Sequence, residues 1–134
     1  MILLDTVVLS ELRKAKPNAG VVSFIEAQAA DALFLSVLTN GEIEAGIEKQ
    51  RAAAPEFAQE LGHWLTLLEL QFVQCILPVR PAIAKLWGRL CVQTSNKGVD
   101  NLIAATALCH NLTVVTRDVK DFEPTGVRVQ NPFT

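Results

Sequence analysis

The stretch "MILLDTVVLSE", residues 1–11, places an acid directly after a short apolar run. Ile2–Leu4 has the continuous hydrophobic character of strands that parallel sheets bury on both faces. Asp5 follows at the point where such a strand ends. A carboxylate there can cap a helix, lie at a solvated end or bind a ligand. An ionised side chain at the end of a buried strand is unfavourable unless a positive group pairs with it. The rest of the chain is therefore needed to choose among these three explanations.

Apolar runs of the same kind recur along the chain and alternate with helix-like segments. They predict further strands over residues 33–37, 75–79, 113–116 and 127–129. Apolar residues at helical spacing predict helices over residues 18–29, 40–50, 55–69, 81–93 and 100–110, and Asn111 suits the left-handed position that ends a helix. Strands separated by helices imply βαβ crossovers and therefore an α/β/α sandwich with a central, mainly parallel sheet.

The composition is that of one globular domain spanning residues 1–134. Twelve Lys and Arg against fourteen Asp and Glu give a net charge of −2, so no overall positive field indicates nucleic-acid binding, although a local basic patch would suffice. Three widely spaced cysteines fit neither a disulfide framework nor a zinc site, and we expect buried thiols in a reducing cytoplasm. Neither a signal peptide nor a membrane span is expected.

Four acids are predicted at one edge of the sheet, beyond the carboxyl ends of the strands, where open α/β sheets bind ligands. Asp5 closes the first strand, and Glu42 lies in the first predicted turn of the helix after the second strand. Asp100 starts the apolar segment "DNLIAATAL", and Asp118 follows the strand "TVVT". Each also has a structural explanation, since Glu42 and Asp100 would favour the positive end of a helix dipole and Asp118 could cap a turn.

Together the four acids would repel one another and raise one another's pKa values unless a cation neutralised them. Oxygen ligands without His or Cys suit a hard ion such as Mg²⁺ or Mn²⁺, and such a site can activate water and hold a phosphate for in-line attack. A P-loop is not supported, because Ile47 and Glu48 stand where its Lys and Ser or Thr would be.

Four segments, "MILLDTVVLSE", "GEIEAGI", "DNLIAATAL" and "VTRDVKDF", resemble the four blocks of PIN-domain ribonucleases, in particular toxins of the VapC and FitB type. The resemblance covers essentially the whole chain. It implies a PIN fold and a metal-dependent endoribonuclease that cleaves single-stranded or structured RNA with Mg²⁺ or Mn²⁺. It further implies a toxin that forms a homodimer and is held inactive by a cognate antitoxin. The implied catalytic and metal-binding residues are Asp5, Glu42, Asp100 and Asp118.

Three further positions bear on this resemblance. Glu11 resembles a recurrent family residue near the pocket, but a position at the start of a helix explains it equally well, and a turn explains Asp121. Val7 stands where family members usually have Asn, whose amide can fix the geometry of metal ligands; losing such support typically lowers metal affinity or activity about 10- to 100-fold. The alternative is therefore a catalytically impaired PIN-fold module that binds RNA or antitoxin.

A receiver-like phosphoacceptor domain is a third hypothesis, but no strand-ending Lys follows at the expected late position. Under the first hypothesis, the basic side chains that are candidates for phosphate contacts are Arg13, Lys14, Lys16, Lys49, Arg51, Lys97 and Arg117.

Overall fold

The computed structural model describes all residues, 1–134, and contains a five-stranded sheet. The strands are β1 (Ile2–Leu4), β2 (Leu33–Ser36), β3 (Ile76–Leu77), β4 (Thr113–Val115) and β5 (Val129–Gln130). Their order across the sheet is β3-β2-β1-β4-β5, and every neighbouring pair is parallel. The prediction of a mainly parallel central sheet is confirmed.

Seven α-helices connect and flank the strands. They are α1 (Thr6–Leu12), α2 (Ala19–Glu26), α3 (Val37–Arg51), α4 (Pro55–Gln71), α5 (Pro81–Thr94), α6 (Val99–His110) and α7 (Val119–Phe122). The two helices α4 and α5 begin with Pro. Proline suits the first turn because it lacks a backbone N–H, and an N–H at that position would have no partner within the helix. Asn111 ends α6 in the left-handed conformation at φ 55°, as the sequence predicts. None of the helices is both long and apolar enough to cross a membrane.

The central strand β1 divides the protein into two hydrophobic cores. Ile2 and Leu4 pack into the core formed with α1 to α4, whereas Leu3 packs into the core formed with α5 to α7. This division follows from the alternation of side chains along a strand. All three residues are buried, so the first stretch of the sequence supplies both layers of the predicted α/β/α sandwich.

The start of α3 differs from the prediction. Ser36 ends β2 and caps the helix, because its hydroxyl oxygen accepts a hydrogen bond from the N–H of Leu38 at 3.1 Å. Such a cap satisfies a helix N–H that would otherwise lack a partner, and it outweighs the preference of Val37 for a strand. The helix therefore begins at Val37 instead of Asn40, and Glu42 lies in its second turn, beyond the strongest influence of the helix dipole.

Other local predictions are corrected by the structure. The helices α1 and α7 are absent from the sequence prediction, since each spans one or two turns and shows little periodicity. The strand predicted over residues 127–129 is displaced to Val129–Gln130, where Val129 pairs with Val114. The cysteines are free, but none is fully buried as predicted. Cys75 and Cys91 are half-buried, and Cys109 is exposed because the last residues of α6 extend beyond the buried part of that helix.

Gly20 in α2 allows the chain around residues 132–134 to approach closely. A Cβ at this position would lie 2.5 Å from the carbonyl oxygen of Pro132 and would also collide with the Thr134 side chain. Gly20→Ala should therefore lower the free energy of unfolding by about 1–3 kcal/mol, measured by urea denaturation.

Gly88→Ala in α5 is the matched control for that substitution, since a Cβ there would meet no heavy atom within 4 Å. It should stabilise the protein by about 0.5–1 kcal/mol through helix propensity alone. Equal unfolding midpoints for the two variants would contradict the close approach at Gly20.

Candidate active site

The candidate site lies where the carboxyl ends of three parallel strands meet. Asp5 directly follows β1, Thr116 follows β4, and the start of α3 follows β2. The first turn of α6 adds Asp100. This edge of an open α/β sheet is the usual location of ligand sites.

Asp5 is buried, with only 6% of its surface exposed, which excludes the solvated-end explanation. Its Oδ1 accepts a hydrogen bond from the N–H of Thr6 at 2.9 Å, so Asp5 is the N-cap of α1. Its Oδ2 accepts a second bond from the hydroxyl of Thr116 at 2.8 Å. Capping thus accounts for one carboxylate oxygen, whereas the other joins β1 to the segment after β4.

Burial raises the pKa of the Asp5 carboxyl from 3.8 to about 6. The hydrogen bonds from Thr116 and Thr6 oppose this rise, and the negative charges of Glu42 and Asp100 add to it. Asp5 therefore faces acids, with no positive side chain among the groups that influence its pKa.

Glu42 approaches the same edge from the exposed side of α3. Its Oε1 accepts a hydrogen bond from the Thr6 hydroxyl at 2.7 Å. Thr6 thus contacts both acids, Asp5 through its N–H and Glu42 through its hydroxyl. It fixes the position of one acid relative to the other.

Asp100 lies in the first turn of α6 and is partly buried. Burial raises the pKa of its carboxyl, and the charges of Asp121, Glu42 and Asp118 raise it further. Asp118 is exposed at the N-cap position of α7, its side chain makes no capping bond, and its N–H donates to Thr116 Oγ1 at 3.0 Å. The structure therefore places Glu42 and Asp100 within electrostatic reach of Asp5, and Glu42, Asp118 and also Asp121 within reach of Asp100.

The acids fit a partly hydrated divalent ion better than a fully protein-enclosed one. As placed, no three His, Cys, Asp or Glu side chains form a group compact enough to hold a metal directly. Mg²⁺ commonly keeps several waters and binds through one or two carboxylates, and oxygen is its preferred ligand. The donor chemistry thus suits Mg²⁺ or Mn²⁺, with the buried Asp5 and the partly buried Asp100 as the least exposed oxygen donors.

Glu11 is separate from this acidic cluster in its interactions. It is buried, and its carboxylate contacts Lys14 Nζ at 2.8 Å, the N–H of Asn18 at 2.9 Å and Arg117 at 4.0 Å. The hydrogen bond from Lys14, followed by that from Asn18, holds the pKa of this carboxyl below its usual value. Its charge is therefore paired within the protein.

Two hydroxyl residues at the site, Thr6 and Thr116, were not identified from the sequence. The available signal was their position, since Thr6 directly follows Asp5 and Thr116 directly follows β4. The basic residues also separate into groups: Lys14 and Arg117 pair with Glu11, and Arg51 pairs with Glu48. Arg13 instead lies against aromatic rings beside the site.

The fold and the site together define an α/β/α protein whose functional edge is built from carboxylates and threonine hydroxyls. The chain belongs to the PIN domain family, which it matches over residues 2–126. It is 36% identical to the plasmid stability protein StbB of Pseudomonas syringae pv. tomato, over 99% of both chains. It is equally 36% identical to the VapC ribonuclease Y4jK of Sinorhizobium fredii, over 99% of this chain and 98% of the relative.

A third relative, the toxin FitB of Neisseria gonorrhoeae, is 32% identical over 99% of both chains. The crystal structure of FitAcB from that organism superposes with a TM-score of 0.87 at 32% identity, covering 98% of each chain. The resemblance to PIN-domain toxins seen in the sequence is thereby confirmed for the family and the fold.

The raised pKa of Asp5 predicts a pH-dependent difference between the metal-free protein and Asp5→Asn. Folding favours the protonated acid, so its contribution to stability is present below about pH 4 and is lost as the pH rises through about 6. Asp5→Asn should become the more stable protein, by up to about 3 kcal/mol above about pH 7. Urea denaturation in chelator between about pH 5 and pH 8 measures this difference, and a constant difference would contradict it.

Proposed function

We propose that this protein is a metal-dependent endoribonuclease and the toxin of a toxin–antitoxin pair. The observation that supports it best is the buried Asp5, whose carboxyl faces Glu42 and Asp100 with its pKa raised to about 6. Negative charges gathered in this way repel one another, and a divalent cation would relieve that repulsion. Oxygen-only donors at the carboxyl edge of a parallel sheet favour Mg²⁺ or Mn²⁺.

In this mechanism Asp5, Glu42 and Asp100 would hold the ion in part through its bound waters, since no three of these side chains are close enough to ligate it directly, and Asp118 would assist from the exposed side of the site. A divalent ion bound there would activate water at neutral pH and stabilise negative charge on the scissile phosphate. The threonines position the acids: Thr116 and the Thr6 N–H fix the two oxygens of Asp5, and the Thr6 hydroxyl fixes Glu42. Small displacements of such groups strongly reduce catalysis, so these bonds matter for rate.

The names of the relatives support the choice of substrate and partner. One is a VapC ribonuclease, one is a toxin, and one is a plasmid stability protein. For this chain we propose single-stranded or structured RNA as the substrate, a cognate antitoxin as the inhibitor, and a homodimer acting in the cytoplasm. The acidic edge would accept an arginine of the antitoxin, whose guanidinium binds carboxylates through two parallel hydrogen bonds.

Purified protein should cleave total RNA in Mg²⁺ or Mn²⁺ and not in excess chelator. Asp5→Asn should lower the cleavage rate by at least about 100-fold, because a neutral amide removes the central negative ligand. Asp31→Asn is the matched control, since Asp31 is exposed at the opposite, amino end of β2. Undiminished cleavage by Asp5→Asn, or cleavage in chelator, would overturn the assignment.

The second candidate is a PIN-fold module that binds RNA or antitoxin without efficient cleavage. The observation that favours it is Val7, which lies in the first turn of α1 and packs against the core of α1 to α4. A valine offers no hydrogen bond to the neighbouring acids. Against this candidate, Thr6 and Thr116 already provide hydroxyl hydrogen bonds to Glu42 and Asp5.

Val7→Asn distinguishes the two candidates. If the threonines provide sufficient support, Val7→Asn should change the rate of RNA cleavage by less than about 10-fold, whereas an impaired site should gain about 10- to 100-fold. Val7→Ala is the control, because it removes the same packing without adding an amide. A large gain in Val7→Asn alone would favour the impaired module.

A further inference from the structure

A cavity of about 250 Å³ lies directly beside the acidic cluster. Its walls come from α1, α3 and α4, and it shares Thr6 and Glu42 with the candidate active site. A molecule held by the acids could therefore extend into the cavity without crossing bulk solvent. The position makes it a candidate subsite for part of the substrate.

One wall of this cavity is formed by three planar groups. The Arg13 guanidinium carbon lies 5.2 Å from the centre of the Phe57 ring and 5.8 Å from the Trp64 ring. Both distances fall within the range of cation–π interactions. Guanidinium and aromatic planes are the surfaces on which proteins stack unpaired RNA bases.

The rest of the cavity leaves open space and offers polar groups. Ser10 and Gln50 line it, and together they present a hydroxyl, an amide donor and an amide acceptor. Gly46 also lines it, and a Cβ there would meet no heavy atom within 4 Å. The absent side chain of Gly46 thus leaves space that a ligand can occupy.

We propose that this cavity binds one unpaired nucleobase of the RNA, next to the phosphate held at the acidic cluster. The inference rests on the proposed nuclease function and adds a base-binding subsite to it. The base stacks against Arg13, Phe57 or Trp64, and Ser10 and Gln50 contact its edge. Sequence preference at the cleavage site then arises in part from this cavity.

The charge in the wall of the cavity favours a neutral base over a basic side chain. The adjacent acids would attract a Lys or Arg side chain. The Arg13 guanidinium in the wall of the cavity would repel such a side chain. The volume is below the roughly 300–1,000 Å³ of pockets for drug-sized ligands, which suits a single flat ring system. A neutral, planar base meets both conditions.

Filling the cavity tests the proposal without removing any side chain. Gly46→Leu places an aliphatic group in the open space, and replacing a helical glycine should raise helix propensity, so loss of folding is not expected. Gly88→Leu is the matched control, because Gly88 is also helical, faces open space and does not line this cavity. Both changes are made in an Asp100→Asn background with Mg²⁺, so that the RNA is bound without being cleaved.

The measurement is the affinity of each variant for a short single-stranded RNA of mixed sequence. It is repeated with a series of RNAs in which the base is missing at one position at a time. Stacking of one base is worth about 1–3 kcal/mol, so loss of the base at one position should weaken binding about 5- to 150-fold. The Gly46→Leu variant should bind the intact RNA more weakly by a similar factor, and removing the base at the sensitive position should no longer lower its affinity. In the Gly88→Leu variant, removing that base should still lower the affinity.

Either of two outcomes would overturn the subsite. They are equal affinity for every member of the RNA series, and the same positional effect in Gly46→Leu as in Gly88→Leu. Because binding is measured without turnover, these outcomes are independent of the cleavage assay. Absence of metal-dependent cleavage by the wild-type protein would instead contradict the nuclease assignment.

Discussion

The burial of Asp5 at the end of the central strand is the constraint on which the arrangement of the site depends. Because β1 lies between β2 and β4, its carboxyl end is enclosed, and only 6% of Asp5 remains exposed. Two hydrogen bonds, from Thr6 and Thr116, hold the carboxylate, but burial and neighbouring acids still raise its pKa to about 6. The site therefore combines rigid positioning with unrelieved negative charge, and that combination favours a cation.

The layers of the fold were predictable because the strands are buried on both faces and leave continuous apolar runs in the sequence. Residues 2–4 are the clearest case, since they supply both cores. The helix α1 was not predictable in this way, because "TVVLSEL" is nearly as apolar and β-branched as the strand before it. Its start is determined by the side chain of Asp5, and the start of α3 is similarly determined by Ser36.

The four acids were predicted at one edge of the sheet because Asp5 and Asp118 follow apolar strands, while Glu42 and Asp100 lie near the starts of predicted helices. The electrostatic neighbours of Asp100 confirm that Glu42 and Asp118 lie near it. Asp121 was interpreted as a turn residue because α7 is a single helical turn, too short to show a pattern. Only their positions, directly after Asp5 and after β4, distinguish Thr6 and Thr116 from other threonines. Glu11 is explained by its pairing with Lys14, three residues along the chain, and by the N–H of Asn18.

The pairing of β1 with β4 also joins segments that are far apart in the chain. Asp5 and its hydrogen-bond partner Thr116 are 111 positions apart, and the same pairing joins residues 2–4 to residues 113–115. A loop of that length has to close before either contact forms, so these contacts are entropically late compared with the helices. During synthesis of the chain, β1 can pair with β4 only after helices α1 to α6 have been synthesised. An unfinished chain that lacks β4 therefore has Asp5, Glu42 and Asp100 but no assembled site.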